Sequence, residues 1–227
     1  MKKIVILTGA GISAESGLAT FRDKGGLWEG YNIEDVATYE AWERNPALVQ
    51  NFYNERRKGV MEAEPNQAHI GLAKLQEKYD VQIITQNIDD LHERAGSKNV
   101  LHLHGVITLA QSDRDASLTY PIDGWKIKAT DLCEYGYPLR PHVVWFGEEV
   151  PNLQRAAEIC YTADIFVVIG TKLAVYPAAG LIDYVPADVI RYVIDLDIPP
   201  VGGGKLVKKI QAKATEGVAM LVDELMG

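Results

Sequence analysis

Short runs of β-branched and aliphatic residues recur along the chain, separated by stretches in which apolar residues return every three or four positions. The runs Ile4–Leu7, Val81–Thr85, Val100–Leu103, Val143–Phe146, Ile165–Ile169 and Val189–Leu196 read as strands. They are apolar throughout, as strands covered on both faces of a parallel sheet are, and the intervening helical periods suggest βαβ units. Helical period is strongest at Pro46–Glu62, where Pro46 suits a first helical position after Asn45 as cap. Further helices are expected at about Asn66–Tyr79, with Ile70, Leu72, Ala73 and Leu75 as its apolar stripe, at Asn152–Tyr161 and at Glu216–Met226. Two stretches break the alternation and read as insertions into a sheet domain. Residues 30–65 are helical and rich in aromatics; residues 106–137 are polar, irregular and rich in tyrosine. In the second, Asp113-Arg114-Asp115 and Pro121-Ile122-Asp123-Gly124 are turn signals. Inserted connections of this length are usually functional.

With 227 residues the chain has room for one large domain, or a domain carrying an inserted subdomain. A hydrophobic fraction of 47% and a charged fraction of 24% exclude disordered and fibrous architectures. The net charge of −8 argues against affinity for nucleic acid that rests on overall charge. No apolar run approaches the roughly 20 residues of a membrane span, and the opening Met1-Lys2-Lys3 leads into an apolar run too short for a signal peptide. A cytoplasmic location with no membrane partner is the expectation. Cys133 and Cys160 cannot build a disulfide framework and read as inert buried thiols.

Three clusters carry chemistry. The first strand runs into Thr8-Gly9-Ala10-Gly11-Ile12-Ser13-Ala14-Glu15-Ser16-Gly17, where Gly9, Gly11 and Ala14 match the dinucleotide fingerprint G-x-G-x-x-G/A. Such glycines let a backbone approach a pyrophosphate at a helix N-terminus. The motif alone equally suits a strand–turn–helix with no ligand, and no strand precedes Glu29 or Glu34 to present a ribose-binding carboxylate. The second cluster is Thr85-Gln86-Asn87-Ile88-Asp89-Asp90-Leu91-His92, at a strand end where α/β sheets place ligands and where simple helix caps also occur. The third is Leu101-His102-Leu103-His104-Gly105. Its two histidines share a strand face as a metal pair, a packed pair, or a base beside a structural neighbour. His104 stands at the strand end next to a glycine that leaves room for a ligand.

The order of the blocks is far more specific than any one. Gly-Ala-Gly-Ile-Ser at 9–13, Thr20-Phe21-Arg22, Gln86-Asn87-Ile88-Asp89, His104-Gly105, Phe146-Gly147-Glu148 and Gly170-Thr171 together resemble the sirtuin family over nearly the whole chain. The resemblance implies a Rossmann-like parallel sheet domain of about residues 1–29, 80–105 and 140–227, with a smaller inserted subdomain of about 30–79 and 106–139. It further implies an NAD-dependent protein lysine deacylase that releases nicotinamide and leaves the acyl group on ADP-ribose. Carried over by position, His104 is the general base, and its ordinary pKa near 6.5 suits that work at neutral pH. Asn87, also assigned to catalysis, and Asp89 orient ribose and hold the nicotinamide amide. Gln86, Ile88 and Arg22 line the cofactor. Gly9, Ala10, Gly11, Gly170 and Thr171 cradle phosphates and ribose, and Ile12, Ser13, Glu15, Ser16, Thr20, Phe21 and Trp28 belong to the same binding set. Lys172 belongs to the same set, as a phosphate contact or a side chain crowding the ribose, and Asp195, Asp197 and Ala214 close its adenosine end. Val144, Phe146, Gly147 and Glu148 resemble the strand beside which the acylated peptide lies.

Within the Pro46–Glu62 helix, Tyr53 and Arg56 share a face at i and i+3. A guanidinium with a phenol beside it suits a carboxylate. The pair matches the sirtuins that remove succinyl and malonyl groups, so acidic acyl chains are expected as substrates alongside acetyl. Arg57 and Lys58 read as solvated, and His69 and His92 as structural or exposed. The chain departs from the family at three places. Between 106 and 141 it offers Cys133 alone where a structural zinc needs four Cys or His ligands. No zinc is therefore expected, with Tyr120, Trp125, Tyr135 and Tyr137 forming an apolar mini-core in its place. Lys172 stands where a serine is usual, and Asp195 where an asparagine is expected. These departures motivate a rival function, an NAD- or ADP-ribose-binding sensor without turnover. A hydride-transferring dehydrogenase is a second rival on the glycine fingerprint.

Overall fold

A computed structural model describes residues 1–20, 31–201 and 206–227. In chain order the strands are β1 (Lys3–Thr8), β2 (Asp80–Thr85), β3 (Val100–His102), β4 (Gly105–Ser112), β5 (Thr119–Pro121), β6 (Leu139–Val143), β7 (Ile165–Ile169), β8 (Ile190–Ile194) and β9 (Val207–Ile210). The helices are α1 (Ile33–Val36), α2 (Tyr39–Arg44), α3 (Pro46–Glu62), α4 (Gln67–Lys74), α5 (Leu91–Arg94), α6 (Leu153–Tyr161) and α7 (Ala214–Met226). Among the described residues, six strands form one parallel sheet in the order β3-β2-β1-β7-β8-β9, and β5-β4-β6 form a small antiparallel sheet. The architecture is the expected Rossmann-like α/β fold with a smaller unit.

The apolar strands are buried on both faces, as their composition predicts. Ile4, Ile6, Ile83, Val167 and Ile194 face one side, under Leu72 and Leu75 and the α7 residues Val218 and Leu221. Val5, Leu7, Ile84, Phe166, Val168 and Val193 face the other, under α6 and the 3-10 segment Ala178–Tyr184. Thus α4 lies on the sheet, whereas α1, α2 and α3 pack with the small sheet around Trp42, Val49, Phe52, Tyr53, Ile107, Val143 and Trp145. Among the described residues no helix is long and apolar enough to cross a membrane.

Several local expectations are corrected. After β1 the chain forms two short 3-10 turns, Ala10–Ile12 and Ala14–Ser16, where the fingerprint implied a longer helix. Strand β6 ends at Val143, so the expected strand Val143–Phe146 begins where the real one stops. Residues 106–137, read as irregular, contain most of β4 and all of β5. The aromatic mini-core is absent: Tyr135 and Tyr137 are 70% and 46% exposed. Polar groups of α3 hold that region instead. Asn54 grips Ile127 through both backbone groups, donating from Nδ2 to its carbonyl and accepting from its N–H at Oδ1, each at 3.0 Å. Gln50 donates to the same carbonyl at 3.3 Å. Arg57, expected in solvent, is fully buried. It donates to the carbonyls of Ile107 at 2.5 Å and Trp125 at 3.0 Å, and to Asn54 Oδ1 at 2.7 Å. Burial lowers its pKa to about 10, so it remains a cation at neutral pH, held by acceptor oxygens.

Candidate active site

The C-terminal ends of β1, β2, β7 and β8 open on a cleft of about 980 Å³, bounded across from them by α3 and the segment after β6. This is the edge at which parallel sheets place ligands. Backbones meet very closely beside it. A Cβ on Gly9 would lie 2.8 Å from the Gly170 carbonyl oxygen, and one on Gly11 would lie 2.6 Å from Gly170 Cα. These glycines are therefore required by the packing of the β1 turn against the β7 turn, whatever the cleft holds. The N–H groups of Gly9 and Gly11 are spent on the carbonyls of Ile169 and Gly170. Gly105 is similar: at φ +83° its missing Cβ makes room for the His142 carbonyl of β6 rather than for a ligand.

His104 sits on the cleft wall with Nδ1 2.9 Å from the Gln86 carbonyl. A carbonyl only accepts, so Nδ1 carries the hydrogen and Nε2 keeps a free lone pair. Burial pushes the imidazole below its usual 6.5, partly opposed by that carbonyl, which keeps it neutral at neutral pH. His102 differs. Its Nδ1 meets the Asn87 carbonyl at 3.1 Å and its Nε2 meets Glu93 at 2.8 Å. Burial disfavours its charge, but Glu93 and the carbonyl outweigh burial and raise its pKa. The two imidazoles are thus held differently: both ring nitrogens of His102 are engaged, whereas Nε2 of His104 has no partner among the described residues.

Ser13 is the hub behind the cleft. Its hydroxyl donates to Asp89 at 3.0 Å and accepts from Asn87 Nδ2 at 3.1 Å, with His69 Nε2 3.4 Å away. His69 Nδ1 accepts the Asn66 N–H, which leaves the hydrogen on Nε2, facing Ser13. Burial lowers His69 to about 4, and burial raises the Asp89 carboxyl. His92 packs edge-on against His69 at 4.9 Å and bonds Thr8. Both histidines are buried and structural, and His69 supports the site through Ser13. The Asn66–His69 capping spacing was the one sequence signal for this support.

Gln86 donates to the Thr171 hydroxyl at 3.1 Å, bridging the ends of β2 and β7. Ala10, Thr20, Ile88, Gly147, Asp195 and Ala214 also line the cleft. Lys172 pairs with Asp197 at 3.0 Å, both well exposed. Glu15 accepts from the N–H and hydroxyl of Thr215, at the start of α7. Ile12 lies wholly in the core, and the Ser16 hydroxyl is taken by Asn66, so neither presents its side chain to the cleft wall. Phe21, Arg22 and Trp28 lie outside the described residues. Tyr31, Val60 and Tyr176 line the cleft without having been singled out in the sequence, where nothing in their local pattern marks them.

On the far wall, Tyr53 accepts a hydrogen bond from Trp145 Nε1 at 3.1 Å. Burial pushes its phenol well above the ordinary range. Arg56 stacks on Phe52 at 4.0 Å, and burial lowers it to about 10, so it too stays charged. In the segment after β6, the N–H groups of Val144, Trp145, Phe146 and Glu148 are bonded to His104, Glu148, Ala37 and Trp145 respectively. Gly147, at φ +91°, keeps its N–H unengaged among the described residues.

A model of the Sir2 family matches residues 9–177. A protein named NAD-dependent protein deacylase from Bacteroides thetaiotaomicron is 48% identical, covering 97% of each chain. One of the same name from Helicobacter pylori is 46% identical over 98% of this chain and 94% of its own. Another, from Aggregatibacter actinomycetemcomitans, is 54% identical over 86% of this chain and 94% of its own. A solved Sir2 homologue in complex with NAD superposes with a TM-score of 0.90 at 38% identity, covering 99% of this chain and 90% of that one. With the parallel sheet, the cleft at its edge and this similarity over almost its full length, the chain belongs to the Sir2 family.

Proposed function

We propose that this chain is an NAD-dependent protein lysine deacylase that removes acetyl and acidic acyl groups, succinyl and malonyl, and yields nicotinamide and O-acyl-ADP-ribose. The observation that carries it is the opposition of two walls of one cleft. One bears His104 with an Nε2 that has no partner among the described residues, and the other bears Tyr53 and Arg56, donors with no acceptor among them.

The donor set of the cleft fits NAD. Gln86, Asn87 and Thr171 offer amide and hydroxyl groups for ribose and nicotinamide amide, and Asp89 and Asp195 offer carboxyl acceptors. When bound, NAD would supply the ribose carbon from which nicotinamide departs as the acyl carbonyl oxygen attacks, and a ribose hydroxyl on which the acyl group ends. His104 Nε2 accepts the proton of a ribose hydroxyl, and Nδ1–H to Gln86 keeps the ring in the tautomer able to do so. The Ser13 hub fixes Asn87 and Asp89. The acylated lysine enters beside residues 144–148, where Gly147 N–H is the backbone donor left for a substrate strand. Arg56 and Tyr53 receive the terminal carboxylate of an acidic acyl chain. Lys172, on the cleft lining, is paired with Asp197.

The same reading divides the chain into a sheet domain of about 1–29, 80–105 and 140–227 and a small unit of about 30–79 and 106–139, of which α4 packs on the main sheet. In this reading the small unit is held without zinc. Cys133 faces the Ser112 hydroxyl at 3.5 Å, and among the described residues no three His, Cys, Asp or Glu are grouped for a metal. The test is incubation with NAD and an acetyl-lysine peptide, following nicotinamide and free peptide by mass. Release of both in equal amounts is expected. Binding of ADP-ribose with no release of nicotinamide would replace the enzyme with a sensor, and reduction of NAD would indicate a dehydrogenase.

A further inference from the structure

Trp145 Nε1 lies 3.1 Å from the Tyr53 hydroxyl oxygen. An indole nitrogen has a hydrogen to give and no lone pair to receive one, so the Tyr53 oxygen is the acceptor. The hydroxyl's own hydrogen remains to be given. Among the described residues nothing accepts it, although Tyr53 is 4% exposed and a buried O–H seeks a partner. Arg56, one turn along α3, is likewise a donor only, with no hydrogen bond or ion pair among the described residues. The indole is itself held fast. Its ring lies 4.0 Å from the Arg140 guanidinium carbon, and Arg140 bridges to Glu148 at 2.6 Å. Glu148 in turn accepts the Trp145 backbone N–H at 2.7 Å.

Resting on the acidic-acyl reading above, we propose that Trp145 is a positioning residue for acyl selectivity: its indole N–H occupies the Tyr53 oxygen, so that the hydroxyl donates into the cleft beside Arg56 and reads an acyl carboxylate. A neutral acetyl group gains nothing from this arrangement. Without the indole N–H, the Tyr53 hydroxyl turns freely between donor and acceptor roles.

The test is the ratio of kcat/KM on matched succinyl-lysine and acetyl-lysine peptides for the native enzyme, Trp145→Phe, Tyr53→Phe and the double variant. Phe keeps an aromatic ring under Arg140. Trp145→Phe is expected to lower the succinyl-to-acetyl ratio about fivefold, the size of one hydrogen bond. Added to Tyr53→Phe, it should lower the ratio no further. An unchanged ratio, or two losses that multiply, would overturn the proposal while leaving the acidic-acyl reading intact. A native enzyme with no turnover of succinyl-lysine would overturn that reading, and this proposal with it. Should Trp145→Phe not fold, the indole N–H resonance of Trp145 still decides. It should move upfield in Tyr53→Phe, and an unmoved resonance would overturn the proposal.

Discussion

The two walls of the cleft are built by different means. On the sheet side, Thr8, Thr85 and Ile169 end three neighbouring parallel strands in register, so backbone ladders alone bring Gly9, Gln86 and Gly170 together. On the other side, α3 is oriented by side chains: Gln50, Asn54 and Arg57 clasp residues 125–127, while Phe52, Tyr53 and Arg56 turn to the cleft. Spacings of four and three residues divide these faces along one helix. Backbone ladders tolerate side-chain change, whereas a clasp of three polar side chains does not. Apart from Gly9 and Gly11, which admit no side chain, the proposed cofactor wall is therefore robust, and the proposed acyl wall is where a few substitutions would alter selectivity.

The largest effect should come from the sheet side. His104→Ala is expected to slow deacylation of acetyl and succinyl peptides alike by at least about a hundredfold, since general-base groups contribute about 10²–10⁴. Chevron or equilibrium unfolding of that variant should remain near native. Equal rates for the two proteins would remove His104 from the reaction. On the other wall, Arg57→Met removes the Arg57 donors to the Trp125 and Ile107 carbonyls and one of the two donors to Asn54 Oδ1. A loss of about 2–4 kcal/mol in urea unfolding is expected, with amide exchange rising first at 125–127. Exchange rising uniformly would mean that the clasp does not single out that wall.

Smaller effects sharpen the contrast. His104 must be neutral to take a proton, and its pKa lies below 6.5 because burial disfavours the imidazolium. Rising pH deprotonates it, so kcat/KM should climb along an acid limb centred below 6.5 and level off by neutrality. A limb centred above 7 would contradict that environment. The smallest effect expected is none. Dialysis against a strong chelator should leave the melting temperature unchanged, as the proposal that the clasp holds residues 106–139 without zinc requires. A fall of several degrees would reverse that reading.

Most of the sheet was legible because its strands are apolar on both faces and depend little on neighbours for their signal. Helix α3 was legible to its ends, with Asn45 as cap and Pro46 at its start. What escaped was structure whose cause is distant in sequence. β4 alternates weakly and pairs antiparallel with β6, some thirty residues away, with a register shift between Gly105 and Ala110. β9 adds four residues to the edge of the sheet, too short to show a pattern. Arg57 looks like any helix-surface arginine until carbonyls from two other segments converge on it. In the cleft, the side-chain blocks were legible, but the reason for the glycines was not. Gly9, Gly11 and Gly105 are set by neighbouring backbone, which a motif attributes to the ligand.

The central claim is that one wall supplies the reaction and the other reads the acyl chain. Its most direct test compares the native enzyme with Tyr53→Phe/Arg56→Met on NAD with matched succinyl- and acetyl-lysine peptides. The native enzyme should turn over succinyl at least as well as acetyl. The double variant should lose at least about tenfold more on succinyl than on acetyl, in keeping with about 1.5–3 kcal/mol for hydrogen bonds to a charged group. Equal losses on both peptides would mean that Tyr53 and Arg56 merely support α3, and would contradict the account.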